Sequence, residues 1–346
     1  MTSIKIFSGK NKDIPEKYLE QYFALRQQDE EEWYGVLPPS LDFYRNFWNV
    51  PREKGSDRIK TIAVNKNNLA IGFGYILWNT LYDNLDRSWF RIYVSPKERR
   101  KGIGSQILKE MLKKLPNEIK IVGAEAQKDS PGEYFLKKFK KEQSYAEDVI
   151  TADLEEVNLK DVEKEAQKQK ELALSKGYQI IRVDDRDFKS YFDEEEFVKI
   201  IEQIWNDMPK EDLTEENMNL TVERHQAIYD RNKKTGQEYI TFVVVHEATK
   251  QPVGLTSFAI NKYQPAIAWQ DDTGIIHEHR GNGLGLAVKY QSLLTLLKET
   301  KVKYWITGSA HSNKYMYRIN KILGHELWQN VPVYEFERKT IDELLS

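Results

Sequence analysis

Residues 92–115 read IYVSPKERRKGIGSQILKEMLKKL, and residues 273–297 read TGIIHEHRGNGLGLAVKYQSLLTLL. Each stretch is an apolar strand, then a basic glycine turn, then an amphipathic helix. Both turns carry Arg-x-x-Gly-x-Gly: Arg99, Gly102 and Gly104 in the first, Arg280, Gly283 and Gly285 in the second. The arginines stand 181 positions apart in a chain of 346, so one domain is written twice. Two glycines one residue apart let backbone N–H groups converge without obstruction by a Cβ. The helix that follows adds unpaired N–H groups and the positive end of its dipole. Together these make a cradle for phosphate. Arg99, Arg100 and Lys101 surround the first turn with positive charge, and Arg280 does so for the second. Ile103, Ile107, Leu108, Met111, Leu112 and Leu115 then fall on one helical face, as do Leu286, Tyr290, Leu293, Leu294 and Leu297. A Walker loop needs Gly-Lys-Ser/Thr, which neither copy has. A dinucleotide fingerprint needs a third glycine, where Ile107 and Val288 stand instead.

The pattern V-x-P-x-x-R-x-x-G-I-G-S at residues 94–105 resembles the acyl-CoA pyrophosphate loop of the GNAT superfamily of N-acetyltransferases. The second copy, T-G-I-x-x-x-H-R-G-x-G-L-G-x-A-x-K at residues 273–289, resembles the C-terminal halves of tandem members. The resemblance covers nearly the whole chain. It implies an α/β fold of two tandem GNAT-like domains, each a twisted mixed sheet flanked by helices. It also implies acetyl-CoA as co-substrate and direct transfer of an acetyl group to a primary amine of a small molecule or peptide. The cradle would be Arg99, Arg100, Lys101, Gly102, Ile103, Gly104 and Ser105 in the first half. In the second it would be Arg280, Gly281, Asn282, Gly283, Leu284 and Gly285. The pantetheine arm would run along Ile92 and Val94, or along Gly274 and Ile275, and Asn313 resembles a cofactor-contacting asparagine of the family.

Composition agrees with two soluble domains. The chain exceeds the usual size of one core, with 40% apolar and 31% charged residues. A net charge of −2 gives no global pull toward nucleic acid. The absence of cysteine excludes disulfides, thiolate metal sites and a cysteine nucleophile. The opening MTSIKIFSGKNKD has no apolar signal core, and no apolar run approaches the roughly 20 residues that span a bilayer. A cytoplasmic protein without a metal is the expectation. It is also expected to be a monomer, because two fused copies can satisfy within one chain a contact that single-domain relatives make as dimers.

The coarse order repeats. Residues 4–7 form a first strand, helices follow between 15 and 49, and residues 59–78 form a hairpin turning at Asn65. The loop strand and its helix come next, then strands at 119–124 and 145–154. The second half repeats this from residue 178, with a hairpin at 240–260, a strand at 302–307, a helix at 313–323 and a last strand at 331–336. Gly72 precedes Gly102 by 30 positions and Gly254 precedes Gly283 by 29. These offsets place domains at 1–154 and 177–346, joined by a solvated linking helix at 155–176.

Amide formation needs a base for the ammonium proton, an oxyanion donor and an acid for the leaving thiolate. Asp271 and Asp272 precede the second loop and are candidate bases, with Asp86 in the comparable place of the first half. Many family members carry a tyrosine acid four residues before a Gly-Phe. Here Asn320 stands four before Gly324 and His325 follows it, which leaves Tyr317 and then Tyr134 as candidate acids. The pair His277 and His279 lacks a third ligand at metal spacing. The acidic runs at 29–32 and 193–196 fall on helices that wall the acceptor side in the family, where they would attract a cation. The second half collects more candidates around one cleft, so catalysis is expected there. Two acetyl-CoA sites are expected, the tighter in the first half. The rival reading is a non-catalytic acyl-CoA-binding or sensing protein.

Overall fold

Asn65 sets the first hairpin. Its Oδ1 accepts the N–H groups of Asn67 and Leu69 at 2.9 and 3.0 Å, and Asn68 takes a left-handed φ of 58°. The computed structural model describes residues 4–35 and 38–346. Positions 36 and 37, within the span expected to be helical, lie outside them.

The chain divides into two compact units. The first holds β1 (Lys5–Gly9), α1 (Leu19–Tyr34), α2 (Leu41–Asn49), β2 (Ser56–Val64), β3 (Ala70–Asn79), β4 (Arg87–Val94), α3 (Ile103–Leu112), β5 (Ile121–Glu125) and α4 (Pro131–Leu136). Strands β1 to β4 form an antiparallel meander, and α3 crosses over to bring β5 parallel to β4. The stripe read from sequence packs as expected. Ile107, Leu108 and Met111 are fully buried against one face of the sheet. The opposite face carries α1 and α2 through Tyr22, Phe23, Tyr44 and Trp48.

The next strand, β6 (Tyr145–Asp153), enters the second unit from Glu147 on. That unit continues with α5 (Leu159–Ser175), β7 (Tyr178–Asp184), α6 (Glu194–Asn206), α7 (Val222–Lys234), β8 (Gln237–His246), β9 (Pro252–Asn261), β10 (Gln264–Ile275), α8 (Leu284–Glu299), β11 (Tyr304–Ala310) and α9 (Lys314–Ile322). Its meander and crossover repeat those of the first, with β11 parallel to β10.

The last elements, β12 (Glu326–Glu337) and α10 (Arg338–Leu345), change the partition read from sequence. The first unit includes residues 331–346, and the second includes residues 147–211. β12 lies antiparallel to β5, from Val333 opposite Glu125 to Glu337 opposite Ile121. β6 lies antiparallel to β11, from Ala310 opposite Glu147 to Tyr304 opposite Asp153. Each sheet is thus completed by a strand from the other half of the sequence. Residues 212–216 also belong to the first unit. There buried Arg87 donates to Glu335 Oε1 at 2.9 Å and to the Thr214 carbonyl at 2.8 Å.

Helix α5 is not the solvated link expected at 155–176. Val162, Ala166, Gln169 and Ala173 form a buried stripe, and Gln291 of α8 donates to the Ala166 carbonyl at 3.0 Å. The Glu/Lys spacing describes only its outer face.

Candidate active site

The two glycine loops are built alike. Arg99 Nε donates to the Val94 carbonyl at 2.8 Å, and Arg280 Nε donates to the Ile275 carbonyl at 2.7 Å. Their outer nitrogens meet Glu32 at 2.6 Å and Asp207 at 2.7 Å. Each arginine therefore ties its loop to the end of the preceding strand. Gly102 and Gly283 cap α3 and α8 with φ of 79° and 80°, and neither helix has an acid in its first turn. The first intrahelical bonds reach back to those two carbonyls. The N–H groups ahead of them remain for a ligand, so both loops fit a pyrophosphate.

The loops differ one residue after the arginine. Gly281 has φ of 81°, and Arg100 takes the same left-handed region with φ of 63°. Lys101 is paired with Glu98 at 2.9 Å, whereas exposed Arg100 makes no ion pair among the described residues. Replacing Arg100 by glycine relieves about 1–2 kcal/mol of left-handed strain against about 0.5–1 kcal/mol of added chain entropy. The expected result is near-unchanged stability with acetyl-CoA binding weakened about 3–10-fold at low salt, the gap closing as salt rises. Urea unfolding and calorimetric titration check the two halves of that statement.

Past the loop, each unit opens a fork. β4 and β5 pair at Arg87, Ser88 and Trp89 only, and β10 and β11 pair at Ile267, Ala268 and Trp269 only. Beyond these points the facing backbone groups of β4 have no ladder partner on β5. In the first unit the fork opens into a cavity of about 370 Å³. It runs from Gly102, Gly104 and Ser105 past Ile92, Val94 and Phe135 to Asp29, Arg91 and Glu125. Arg91 grips Asp29 with Nε and Nη2 at 2.7 and 3.1 Å. Its Nη1 stands 3.9 Å from Glu125, and its guanidinium lies 4.1 Å from the Trp33 ring centroid. Glu125 accepts no hydrogen bond from a described side chain and is 47% exposed, to the cavity. Burial pushes its carboxyl up, Arg91 pulls it down, and Asp29 adds to the rise.

The candidates of the second unit are otherwise engaged. β10 bulges between Gln270 and Thr273, where it departs from β9 by one residue. That residue accounts for Trp269 standing 14 positions before Gly283 while Trp89 stands 13 before Gly102. The bulge presents Asp271 and Asp272. Asp271 is ion-paired with Arg186, which lies 4.0 Å over the Tyr239 ring. Burial, then the charge of Asp271, pushes Asp272 up to about 8. Gly274 lets Ile204 of α6 pack directly on the strand, in space a side chain would fill. The equivalent residue of the first unit is Tyr93, whose ring stacks on Phe73 at 5.9 Å. Tyr317 and Tyr134 are 44% and 54% exposed, on α9 and α4, and neither lines the cavity. Asp86 meets Arg87 at 3.3 Å, outside the cavity. Asn313 caps α9 through Met316 N, and Asp193 caps α6 through Glu196 N. Of the two acidic runs, only 29–32 reaches the cavity.

One motif residue of the second loop is also buried. Lys289 of α8 donates to Asn320 and lies 5.1 Å from the Trp305 ring. Burial pushes it down to about 7 from 10.5. The unfolded chain then binds one more proton than the folded chain between those values. Stability through this group rises with pH from about 7 to about 10 and is flat below 7. Lys289→Met should remove that slope from urea midpoints measured between pH 6 and 10.

Residues 20–134, about a third of the chain, match the model of the acetyltransferase (GNAT) family. The fold is similar to that of a tandem GNAT protein from the clavulanic acid biosynthesis pathway, with TM-score 0.74, 16% identity, and 97% of this chain and 99% of that one covered. This chain has a tandem GNAT fold. A GCN5-related N-acetyltransferase from Sphaerobacter thermophilus is similar across 97% of this chain and 96% of its own, at TM-score 0.63 and 13% identity. The N-myristoyltransferase of Saccharomyces cerevisiae, solved with bound myristoyl-CoA, is similar at TM-score 0.57 and 11% identity over 97% of this chain and 80% of its own. No curated protein matches in sequence. The duplicated GNAT fold accounts for the twin loops and forks. Glu125 and Arg91 escaped the sequence reading, whereas Asp29 lies in the acidic run at 29–32 that it singled out. Glu125 lies one residue past the strand expected at 119–124, and that position is the signal that could have found it.

Proposed function

We propose that this protein transfers an acetyl group from acetyl-CoA to a primary amine, and that the first unit performs the reaction. The supporting observation is the single cavity that joins the α3 glycine loop to Glu125 through the β4–β5 fork. The loop N–H groups and Arg100 hold the phosphates. The edge of β4 at Ile92 and Val94, which has no ladder partner on β5, pairs with the amide-rich arm through the groups that Arg99 leaves open and offers an N–H to the developing oxyanion. Glu125 takes the proton from the ammonium. The amine nitrogen then bonds to the thioester carbonyl carbon, and the carbon–sulfur bond breaks. The nitrogen's second proton passes through water to the departing thiolate, since neither candidate hydroxyl, of Tyr317 or Tyr134, lines the cavity.

A second reading applies to the second unit alone. Its loop fits a pyrophosphate, but Arg186 occupies Asp271 and Ile204 closes on Gly274. We propose that it binds acetyl-CoA without turning it over. Coenzyme A release with pooled amines, followed by mass identification of the product, tests the reaction. Gly104→Asp should abolish turnover and remove one acetyl-CoA equivalent of two. Gly285→Asp should remove the other equivalent and leave turnover intact. The opposite pattern would place the reaction in the second unit.

A further inference from the structure

The edges of Arg91 bear on which amines the first unit accepts, an inference that rests on the acetyl-transfer reading above. An arginine beside an acceptor site ordinarily invites a carboxylate. Here one edge of the guanidinium is hydrogen-bonded and its remaining nitrogen faces a carboxylate. Asp29 holds the Nε–Nη2 edge at 2.7 and 3.1 Å, Nη1 points toward Glu125 at 3.9 Å, and the Trp33 ring covers one face at 4.1 Å. Asp29 is 6% exposed, so water does not compete for that grip. The neighbouring cation, Arg99, is committed to the Val94 carbonyl and Glu32. The trio Asp29, Arg91 and Glu125 therefore carries one net negative charge. It presents to the cavity a single carboxylate without a hydrogen-bond donor, that of Glu125.

We propose that the acceptor is an amine with no carboxylate beside its nitrogen, and that Asp29 sets this preference by occupying Arg91. An ammonium approaching Glu125 replaces the donor this carboxylate lacks. An α-carboxylate on the same molecule would enter between Asp29 and Glu125, where the Nε–Nη2 edge of Arg91 is held by Asp29 and Nη1 could be reached only against the charge of Glu125. Asp29 acts through Arg91 and is a positioning residue for specificity. Glu125 touches the nitrogen.

The test uses the full chain, acetyl-CoA and matched pairs that differ only in the α-carboxylate: phenethylamine with phenylalanine, histamine with histidine, tyramine with tyrosine. Phenylalaninamide serves as a neutral, shape-matched control. In the wild type the amine should exceed its amino acid in kcat/KM by about 30-fold or more, and the amide should follow the amine, as like-charge exclusion requires. Asp29→Asn frees an edge of Arg91 and should shrink the ratio at least about tenfold, mainly by lowering KM for the amino acid. Asp29→Glu should restore it, which separates specificity from loss of folding. Equal use of amine and amino acid by the wild type, or an unchanged ratio in a folded Asp29→Asn, overturns this inference alone. Acetyl-CoA binding without coenzyme A release for any pair overturns the acetyl-transfer reading and this inference with it.

Discussion

Glu125→Gln should lower kcat by about 10²–10⁴-fold, the usual worth of a positioned general base, while acetyl-CoA binds as before. The substitution keeps the shape and removes the proton acceptor. Its pH signature is equally specific. Burial raises Glu125 above an ordinary carboxylate, and Asp29 adds to that against the pull of Arg91. The base form is therefore lost on acidification at a higher pH than for a solvated glutamate near about 4.3. The acidic limb of kcat/KM should fall with its midpoint above that value in the wild type and vanish in Glu125→Gln. Asp271→Ala should leave the profile in place, because Asp271 serves Arg186. Full activity of Glu125→Gln together with an inactive Asp271→Ala would move the chemistry to the second unit.

Deleting residues 331–346 should unfold the first unit, although the deletion lies more than 200 positions from its phosphate loop. Tyr334, Phe336 and Ile341 belong to the same core cluster as Ile107 and Leu108. Burial of such a side chain contributes about 1.5–3 kcal/mol. The deletion also leaves buried Arg87 without Glu335, a loss on the order of 3–5 kcal/mol. Together these reach the roughly 5–15 kcal/mol by which a domain is stable. Calorimetry should show one of two melting transitions gone, with the first acetyl-CoA equivalent lost. A fragment of residues 1–154 should fail in the same way and aggregate through the bare edge of β5. A soluble, cooperatively melting fragment that binds acetyl-CoA would show that β12 is dispensable.

What the sequence revealed was local. The glycine loops, the buried stripe of α3 and the Asn65 hairpin depend on residues within a few positions of one another, and the structure has them where the spacing put them; on α8 only Leu293 of the expected stripe is buried, and the core face runs through Leu284, Ala287, Val288 and Leu296. Partner choice was not legible. Residues 145–154 and 331–336 read as strands, but that reading is the same whether β12 lies beside β11 or β5. The site divided along the same line. The α3 loop announced itself, while Glu125 became visible only once β5 diverged from β4 beyond Gly123 and α1 brought Asp29 to Arg91, 62 positions away. Asp271 looked available because Arg186, its partner, lies 85 positions earlier in the chain.

The exchange of β12 also sets a timetable on the ribosome. Residues 5–136 of the first unit emerge well before the strand that closes their sheet. At about 5–20 residues per second, the gap between β5 and β12 lasts on the order of 10–40 s. Throughout that interval the nascent chain displays β5 as an open edge while the rest of the protein is made. Cells short of holdase chaperones should accumulate this protein as prematurely aggregated nascent chains, and synonymous codons that slow translation between β6 and β12 should worsen its yield.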